Sequence, residues 1–263
     1  MLDVRNIVKI FNHGTVNEKT ALRGVSLHLS PGEFVSVIGG NGAGKSTLLS
    51  AVAGVYGVDS GSITIDGRDV TRLPEYKRAN LIGRVFQDPM MGTAASMGIE
   101  ENLAIAKRRG QRRTLKWGVT PHEREEYREL LATLDLGLEN RLTSKVGLLS
   151  GGQRQALTLL MATLKSPKLL LLDEHTAALD PKTAARVLEL SEQIVARNNL
   201  TTMMVTHNMR DAIAHGDRLI MLYDGKIIID IAGEEKKKLT TKDLLDMFEE
   251  RSGSGDADGN LLL

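Results

Sequence analysis

Short continuous runs of aliphatic residues, separated by turns and amphipathic segments, dominate the hydrophobic pattern of this chain. The runs Phe34 to Ile38, Lys168 to Asp173 and Thr201 to Thr206 have the character of strands buried on both faces of a sheet. Between the last two, Pro181 to Ala196 carries apolar residues at helical spacing. This alternation predicts an α/β fold with a mainly parallel sheet. Further strands are predicted at Ser62 to Ile65, Arg84 to Phe86 and Arg218 to Leu222. A further helix is predicted at Gln153 to Leu164.

Two regions depart from this pattern. Leu2 to Phe11 and Ala21 to Leu29 alternate apolar and polar residues, which predicts strands joined by a polar turn. Over residues 89–150 charge rises and helix-forming residues dominate, which predicts an inserted helical subdomain. We therefore predict a single domain over residues 1–250, followed by a disordered tail at 251–263, where Gly, Ser and Asp accumulate.

Composition restricts the possible function classes. The chain has 263 residues, of which 41% are hydrophobic and 25% charged, and its 34 Lys and Arg nearly balance 33 Asp and Glu. Global disorder is therefore not expected, and no nucleic-acid partner is predicted. The absence of cysteine excludes disulfides and thiolate metal sites. The N-terminus lacks the apolar segment of a signal peptide. The longest purely aliphatic run is Leu169 to Leu172, whereas a membrane span needs about 18 apolar residues, so any role at a membrane is expected from outside the bilayer.

A glycine-rich loop lies between a predicted strand and a predicted helix. It satisfies the pattern GxxxxGK[ST] and reads Gly39-Gly40-Asn41-Gly42-Ala43-Gly44-Lys45-Ser46-Thr47. Glycines let backbone N–H groups converge on phosphate oxygens, and the helix that begins near Lys45 adds the positive end of its dipole. Lys45 is expected to reach the β- and γ-phosphates, and Ser46 to ligate Mg²⁺. The loop therefore predicts binding and hydrolysis of ATP with Mg²⁺ as cofactor.

Two more segments suit the chemistry of a γ-phosphate. Asp173, at the end of a buried run, is expected to hold Mg²⁺ through water, and Glu174 is a candidate general base for the attacking water. Ser150-Gly151-Gly152-Gln153 is a second glycine loop that opens a predicted helix. The Ser150 hydroxyl and the following glycine amides predict a second anion site, although such a helix start is by itself equally typical of plain capping.

The run Leu149 to Gln153 reads LSGGQ, and with the phosphate loop it makes the chain resemble the ATP-binding-cassette (ABC) ATPases. The resemblance covers the chain from Leu2 to about Phe248. Other elements of that family follow in its order. Phe11 stands where the family places an aromatic residue that stacks on adenine. Gln87 matches the glutamine of the family's Q-loop, Asp180 matches its D-loop and His207 matches its switch histidine.

This resemblance implies an ABC-type phosphate-loop NTPase fold, with a RecA-like parallel-sheet core, an N-terminal antiparallel β subdomain and an inserted helical subdomain. It implies a head-to-tail homodimer with two ATP molecules, each lying between the phosphate loop of one chain and residues 150–153 of the other. Glu174 would polarise the attacking water and His207 would hold the water and γ-phosphate in line. Gln87 would join the Mg²⁺ shell and report to a membrane partner.

One position departs from the family pattern. The family usually has proline after the catalytic carboxylate, where this chain has His175. One interpretation is a tolerated loop substitution, and the other is that the charge of His175 tunes activity with pH. The segment from Asp173 to Pro181 also resembles a bacterial subgroup with members assigned to tryptophan or tyrosine uptake, which implies an amino acid as the transported solute.

A single cassette without a membrane segment resembles the stand-alone subunits of bacterial importers. The resemblance implies an integral-membrane permease, an extracytoplasmic substrate-binding protein and a peripheral position at the cytoplasmic face of the membrane. Met90, Met91 and Met97 follow Gln87 and are interpreted either as core residues or as lining of the permease-docking groove. A basic cluster is interpreted as a solvated face or as a contact to the permease or anionic lipid, and consists of Lys107, Arg108, Arg109, Arg112, Arg113 and Lys116.

Chain length and the number of motifs distinguish this chain from some other classes of ABC protein. A DNA-repair or chromosome-organising ATPase would need a long coiled coil between Gln87 and Ser150, and no sustained heptads occur there. A translation factor of this type would carry two cassettes. An ABC-type scaffold such as those of cell division, or an exporter subunit, binds ATP with the same motifs and remains open. The segment after Phe248 is expected to hold no regulatory domain.

Overall fold

A computed structural model describes residues 1–111 and 118–252 of the chain. Its strands are β1 Leu2–Phe11, β2 Lys19–Leu29, β3 Phe34–Ile38, β4 Ser60–Ile65, β5 Arg68–Asp69, β6 Ile82–Val85, β7 Leu169–Asp173, β8 Thr201–Val205, β9 Arg218–Tyr223 and β10 Lys226–Ala232. Its α-helices are α1 Lys45–Ala53, α2 Glu75–Arg78, α3 Ile99–Lys107, α4 Pro121–Ala132, α5 Gly151–Thr163, α6 Pro181–Asn198, α7 Met209–Ala214, α8 Gly233–Lys238 and α9 Thr241–Ser252.

A six-stranded sheet forms the centre of the fold, in the order β10-β9-β3-β8-β7-β6. Every neighbouring pair is parallel except β10 with β9. Every residue of β3 and β8 is buried, which explains why neither sequence alternates apolar and polar residues. The predicted α/β core with a mainly parallel sheet is confirmed. Because β3, β8 and β7 are neighbours, the loops at their carboxyl ends meet at one edge of the sheet.

An antiparallel sheet precedes this core in the chain, in the order β2-β1-β4-β5. Alternate residues of β1 such as Leu2 and Val4 are buried and belong to one hydrophobic cluster with Leu48 and Val52 of α1 and with Val35 of β3. The two sheets therefore share a core that includes the helix following the phosphate loop. The predicted N-terminal antiparallel region is confirmed.

The described part of residues 89–150 contains helices and no β-strand. Buried side chains of α3, α4 and α5, among them Leu103, Tyr127 and Leu157, form a hydrophobic cluster separate from that of the sheets. This second cluster is the physical reason to treat the segment as a unit. We keep residues 89–150 as a proposed helical subdomain within a single proposed domain of residues 1–250.

The C-terminal part of the fold contains elements that the hydrophobic pattern did not predict. The strand β10 follows β9 through Asp224 and Gly225, which have φ values of 42° and 73°, as a two-residue hairpin turn of type I′ requires. The helices α7, α8 and α9 complete this part. Because α9 continues to Ser252, the predicted tail of residues 251–263 begins within a helix, and residues 253–263 lie outside the described part.

A buried arginine joins α1 to the segment that follows β5. The guanidinium of Arg78 donates to the carbonyl oxygens of Ala51 and Val52 at 2.8 and 2.7 Å and to those of Leu73 and Thr71 at 2.8 and 3.1 Å. The two carbonyls of α1 belong to its last turn, where the regular helical hydrogen bonds end, and that of Ala51 also accepts from the N–H of Gly54 at 3.2 Å. Burial lowers the pKa of Arg78. The side chain therefore satisfies four carbonyl groups at the distal end of the phosphate-loop helix.

Replacement of Arg78 by methionine is expected to lower the free energy of unfolding by about 3 kcal/mol, because charged hydrogen bonds to buried carbonyls are lost together. Urea unfolding monitored by circular dichroism measures this difference. Lys77→Met is the matched control, since Lys77 is exposed on the same helix, and it should change stability by less than about 0.5 kcal/mol. Equal stability of the two variants would contradict the capping role of Arg78.

Candidate nucleotide site

The phosphate loop connects β3 to α1, and its backbone requires glycine at defined points. Gly39 and Gly44 have φ values of 149° and 106°. A Cβ atom on Gly39 would lie 2.2 Å from the carbonyl oxygen of Leu222, and one on Gly44 would lie 2.7 Å from that of Ala21. Both positions therefore combine a positive φ with a close approach of another strand, and only glycine meets both conditions.

Lys45 is the first residue of α1 and is almost entirely buried. Its ammonium donates hydrogen bonds to the carbonyl oxygens of Gly39 at 2.6 Å and Gly40 at 3.2 Å. An ammonium has three donors, so one remains available for a phosphate oxygen. Burial lowers the pKa of Lys45, and the nearby carboxylates of Glu174 and Asp173 oppose this shift.

A cavity of about 240 Å³ lies above the loop. It is lined by Phe11, Lys19, Ala21, Gly40, Asn41, Gly42, Ala43, Gly44, Lys45, Ser46, Thr47 and Glu174. The structure thus brings the predicted adenine-stacking residue, most of the phosphate loop and the predicted general base to one cavity. Lys19 and Ala21 were not predicted from the sequence. Lys19 reaches the cavity because it pairs with Phe11 across the β1–β2 ladder, and the sequence alone gives no signal for that register.

Phe11 ends β1 at the rim of this cavity. Its ring packs edge-on against Tyr56, with centroids 5.2 Å apart and an interplanar angle of 86°. The ammonium of Lys9 lies 5.5 Å from the centroid of the same ring. These contacts hold the ring beside the phosphate loop, a position compatible with the predicted stacking on adenine, which stays a prediction.

Asp173 ends β7 next to an arginine side chain, that of Arg84, which the sequence patterns did not identify. Its carboxylate accepts a hydrogen bond from the guanidinium of Arg84 on β6 at 3.2 Å. The guanidinium also lies over the ring of Phe86, 4.6 Å from its centroid. Burial raises the pKa of Asp173, and the Arg84 guanidinium opposes that effect. Arg84 thus favours the ionised carboxylate that a cation site requires.

Glu174 and His207 are in contact. The Oε2 atom of Glu174 lies 3.4 Å from Nδ1 of His207, which follows β8. Glu174 adopts a left-handed backbone with a φ of 42°, and its N–H donates to the carbonyl oxygen of Val205 at 2.9 Å. The structure therefore places the predicted base and the predicted switch histidine side by side at the carboxyl edge of the sheet.

His175 is buried and lies beside α6. Its Nε2 atom is 3.0 Å from Oγ of Ser191. Burial lowers the pKa of His175 to about 4, and His215 acts in the same direction. The ring is therefore neutral near pH 7, and the structure does not support the hypothesis that its charge tunes activity at neutral pH.

The remaining predicted site residues lie outside the phosphate-loop cavity. Ser150 caps α5 by accepting from the N–H of Gln153 at 3.2 Å, and Asp180 caps α6 by accepting from the N–H of Thr183 at 3.1 Å. Ser150 and Gln153, together with Gly152, line a different cavity of about 630 Å³. The side chain of Gln87 is exposed after β6. In the described part of one chain, the two glycine loops thus belong to different cavities.

The described members of the basic cluster have partners within the chain. Lys107 pairs with Glu126, and Arg108 pairs with Glu123 at 2.9 Å. Arg109 is partly buried and donates to the carbonyl oxygen of Ala162 at 3.3 Å. These residues therefore stabilise the helical region, whereas Arg112, Arg113 and Lys116 lie outside the described residues.

No helix within residues 1–111 and 118–252 has the length and apolar character that crossing a membrane requires.

Comparisons with known proteins agree with this geometry. A family model described as ABC transporter matches residues 22–177. A tyrosine transport ATP-binding protein of Clostridioides difficile is 47% identical over 95% of this chain and 99% of its own length. An aliphatic sulfonates import ATP-binding protein of Cupriavidus necator is 35% identical over 87% of this chain and 68% of its own length. A dimeric ATP-binding cassette in a post-hydrolysis state with ADP and Pi is 28% identical, covers 88% of this chain and 98% of its own, and has a TM-score of 0.75.

Proposed function

The chain belongs to the ABC transporter family as an ATP-hydrolysing subunit, and on that premise we propose that it powers the import of tyrosine or a related amino acid. The observation that carries the substrate proposal is the 47% identity to a tyrosine transport ATP-binding protein over nearly the full length of both chains. Identity to an importer subunit for a chemically different solute is lower, at 35%. The form of the segment from Asp173 to Pro181 supports the same substrate class.

Hydrolysis is assigned to residues that meet at the carboxyl edge of the sheet. Phe11 would stack on adenine, and the backbone N–H groups of residues 39–47 would bind the phosphates with Lys45. Glu174 would accept a proton from the attacking water, and His207, 3.4 Å away, would hold the water and γ-phosphate in line. Phosphoryl transfer requires mainly positioning and charge neutralisation, and these side chains supply both.

Mg²⁺ prefers hard oxygen ligands, and of the predicted ligands Ser46 lines the phosphate-loop cavity. The hydroxyl of Ser46, the carboxylate of Asp173 and the amide oxygen of Gln87 are the residues that would hold it. The Arg84 guanidinium opposes the rise in the pKa of Asp173 that burial causes, which favours the ionised carboxylate that this role needs. When bound, the ion would screen the negative charge of the phosphates.

A second copy of the chain would complete each nucleotide site. One chain carries two anion-binding glycine loops, and the loop of Ser150 to Gln153 borders a cavity separate from the phosphate loop. A head-to-tail dimer brings the second loop of each subunit to the γ-phosphate held by the other. Asp180 would lie near the same junction because it caps the helix that packs against α5.

An integral-membrane permease would bind next to the Q-loop, at the cytoplasmic face of the membrane. Met90 and Met91 follow Gln87 and are 41% and 70% exposed, while Met97 is partly buried. Exposed methionines are adaptable contact residues, so the first two favour the docking interpretation over a core role. An extracytoplasmic substrate-binding protein would deliver the solute to the permease.

Cells that lack this chain are expected to lose uptake of labelled tyrosine and to regain it with the wild-type gene. The double variant Met90→Glu/Met91→Glu should restore at most about a tenth of that uptake, because carboxylates would replace the apolar contact with the permease. Initial uptake rates of tyrosine, with an aliphatic sulfonate as the unrelated solute, measure both expectations.

Val16→Glu is the matched control, since Val16 is fully exposed on the β1–β2 loop, and it should restore full uptake. Purified Met90→Glu/Met91→Glu should retain ATPase activity in the absence of the permease. Wild-type tyrosine uptake in cells without the chain would contradict the substrate. Export of a solute, or a division defect without any uptake defect, would instead favour the exporter or scaffold alternative.

A further inference from the structure

The segment between β7 and α6 is anchored to the protein by one buried side chain. Of the residues from Asp173 to Asp180, only His175 is buried, while its neighbours Glu174 and Thr176 are partly exposed. The segment carries the catalytic carboxylate at its start and the cap of α6 at its end. The position of His175 in the core therefore fixes the part of the loop from which Glu174 projects.

The partner of His175 is a polar residue on an otherwise apolar stripe. The buried residues of α6 are Val187, Leu188, Ser191 and Val195. The Ser191 hydroxyl donates to the carbonyl oxygen of Val187 at 2.8 Å. Its single hydrogen is thereby used, so the contact of 3.0 Å with His175 requires Nε2 of the ring to be the donor. The hydrogen bond thus has a defined direction, from His175 to Ser191.

This bond opposes a local strain at the catalytic residue. Glu174 has a φ of 42°, a left-handed conformation that costs a non-glycine residue free energy and persists only when its surroundings hold it. One restraint is the bond from its N–H to Val205 on β8. The other restraint is the hydrogen bond that fixes the next residue, His175, to Ser191 on α6. Together they hold the carboxylate of Glu174 beside His207.

We infer that His175 is a positioning residue for hydrolysis, which holds the carboxylate of Glu174 in place through its hydrogen bond to Ser191. It joins the catalytic carboxylate to α6, whose first turn is capped by Asp180. The inference rests on the proposed role of Glu174 as the general base.

Steady-state ATPase kinetics of the full-length chain test this inference. His175→Leu should lower kcat about tenfold and leave KM for ATP within about twofold, because the loop shifts the base but not the phosphate loop. Ser191→Ala should have the same effect, and the double variant His175→Leu/Ser191→Ala should be no slower than either. His175→Gln, which can place an N–H donor near the same point, should recover kcat to within about threefold.

Thr163→Val is the matched control, since the Thr163 hydroxyl donates to the Leu159 carbonyl at 2.9 Å within α5, and it should keep the wild-type kcat. If His175→Leu fails to fold, Ser191→Ala decides the question. A wild-type kcat in Ser191→Ala, a change confined to KM, or a His175→Gln variant as slow as His175→Leu would overturn the inference. Glu174→Gln in the same assay distinguishes a failure of this inference from a failure of the proposed function. Normal turnover of that variant would reject Glu174 as the general base, independently of the role of His175.

Discussion

Glu174→Gln is expected to lower the turnover of ATP by about 10²–10⁴-fold while ATP binding is retained. The amide keeps the shape of the side chain but cannot accept the proton of the attacking water. The phosphate loop and Lys45 are unchanged, so affinity for ATP should stay within a few-fold of wild type. Phosphate release under saturating ATP and binding of labelled ATP measure the two quantities.

Bound nucleotide gives a second readout of the same variant. Because ATP would no longer be hydrolysed, it should remain bound in a stable dimer. Glu129→Gln is the matched control, since Glu129 is exposed on α4, and it should turn over normally. Normal phosphate release from Glu174→Gln would reject Glu174 as the base, whatever the outcome for its neighbours.

The phosphate loop and the acidic pair could be predicted because their chemistry depends on local sequence. A buried strand, glycines at fixed spacing and a following helix are sufficient to place Lys45 and Ser46. The same holds for Asp173 and Glu174, which follow a run that is apolar at every position. In the structure β3 and β7 flank β8, so their carboxyl ends lie at one edge, as a parallel sheet requires.

Contacts set by the register between strands could not be predicted in the same way. Lys19 lines the nucleotide cavity because it pairs with Phe11 across an antiparallel ladder that contains register shifts. Arg84 reaches Asp173 because β6 lies beside β7, although the two strands are far apart in sequence. Hydrophobic periodicity identifies strands but not which strands are neighbours. The positions of Lys19 and Arg84 at the site therefore follow only from the three-dimensional fold.

Burial also changed the interpretation of a residue that the sequence had identified. His175 departs from the family pattern beside the catalytic carboxylate, which allowed either a tolerated change or a charged regulator. A histidine that is buried and bonded to Ser191 is neutral near pH 7, so a positional role replaces the electrostatic one. The hairpin of β9 and β10, by contrast, could have been predicted from the sequence, because Asp224-Gly225 is typical of a two-residue hairpin turn.

Two further variants should each be inactive for different reasons. Lys45→Ala removes the buried ammonium from the phosphate loop, and Ser150→Arg places a bulky side chain at the capping position of the second loop. Each is expected to lower the ATPase rate by about 10²-fold or more, because both loops contribute to charge stabilisation at the γ-phosphate. Each variant retains the loop that the other has lost.

The central claim is that an active site consists of the phosphate loop of one chain and residues 150–153 of another. Mixing Lys45→Ala with Ser150→Arg tests it most directly, because the mixed dimer contains one complete site. At equal concentrations half of the dimers are mixed and each has one of two sites, so about a quarter of wild-type activity should return if the two sites act independently. The double variant Lys45→Ala/Ser150→Arg mixed with Ser150→Arg contains no complete site and should stay inactive. A mixture of the two single variants that is no more active than the sum of its parts would contradict the shared site.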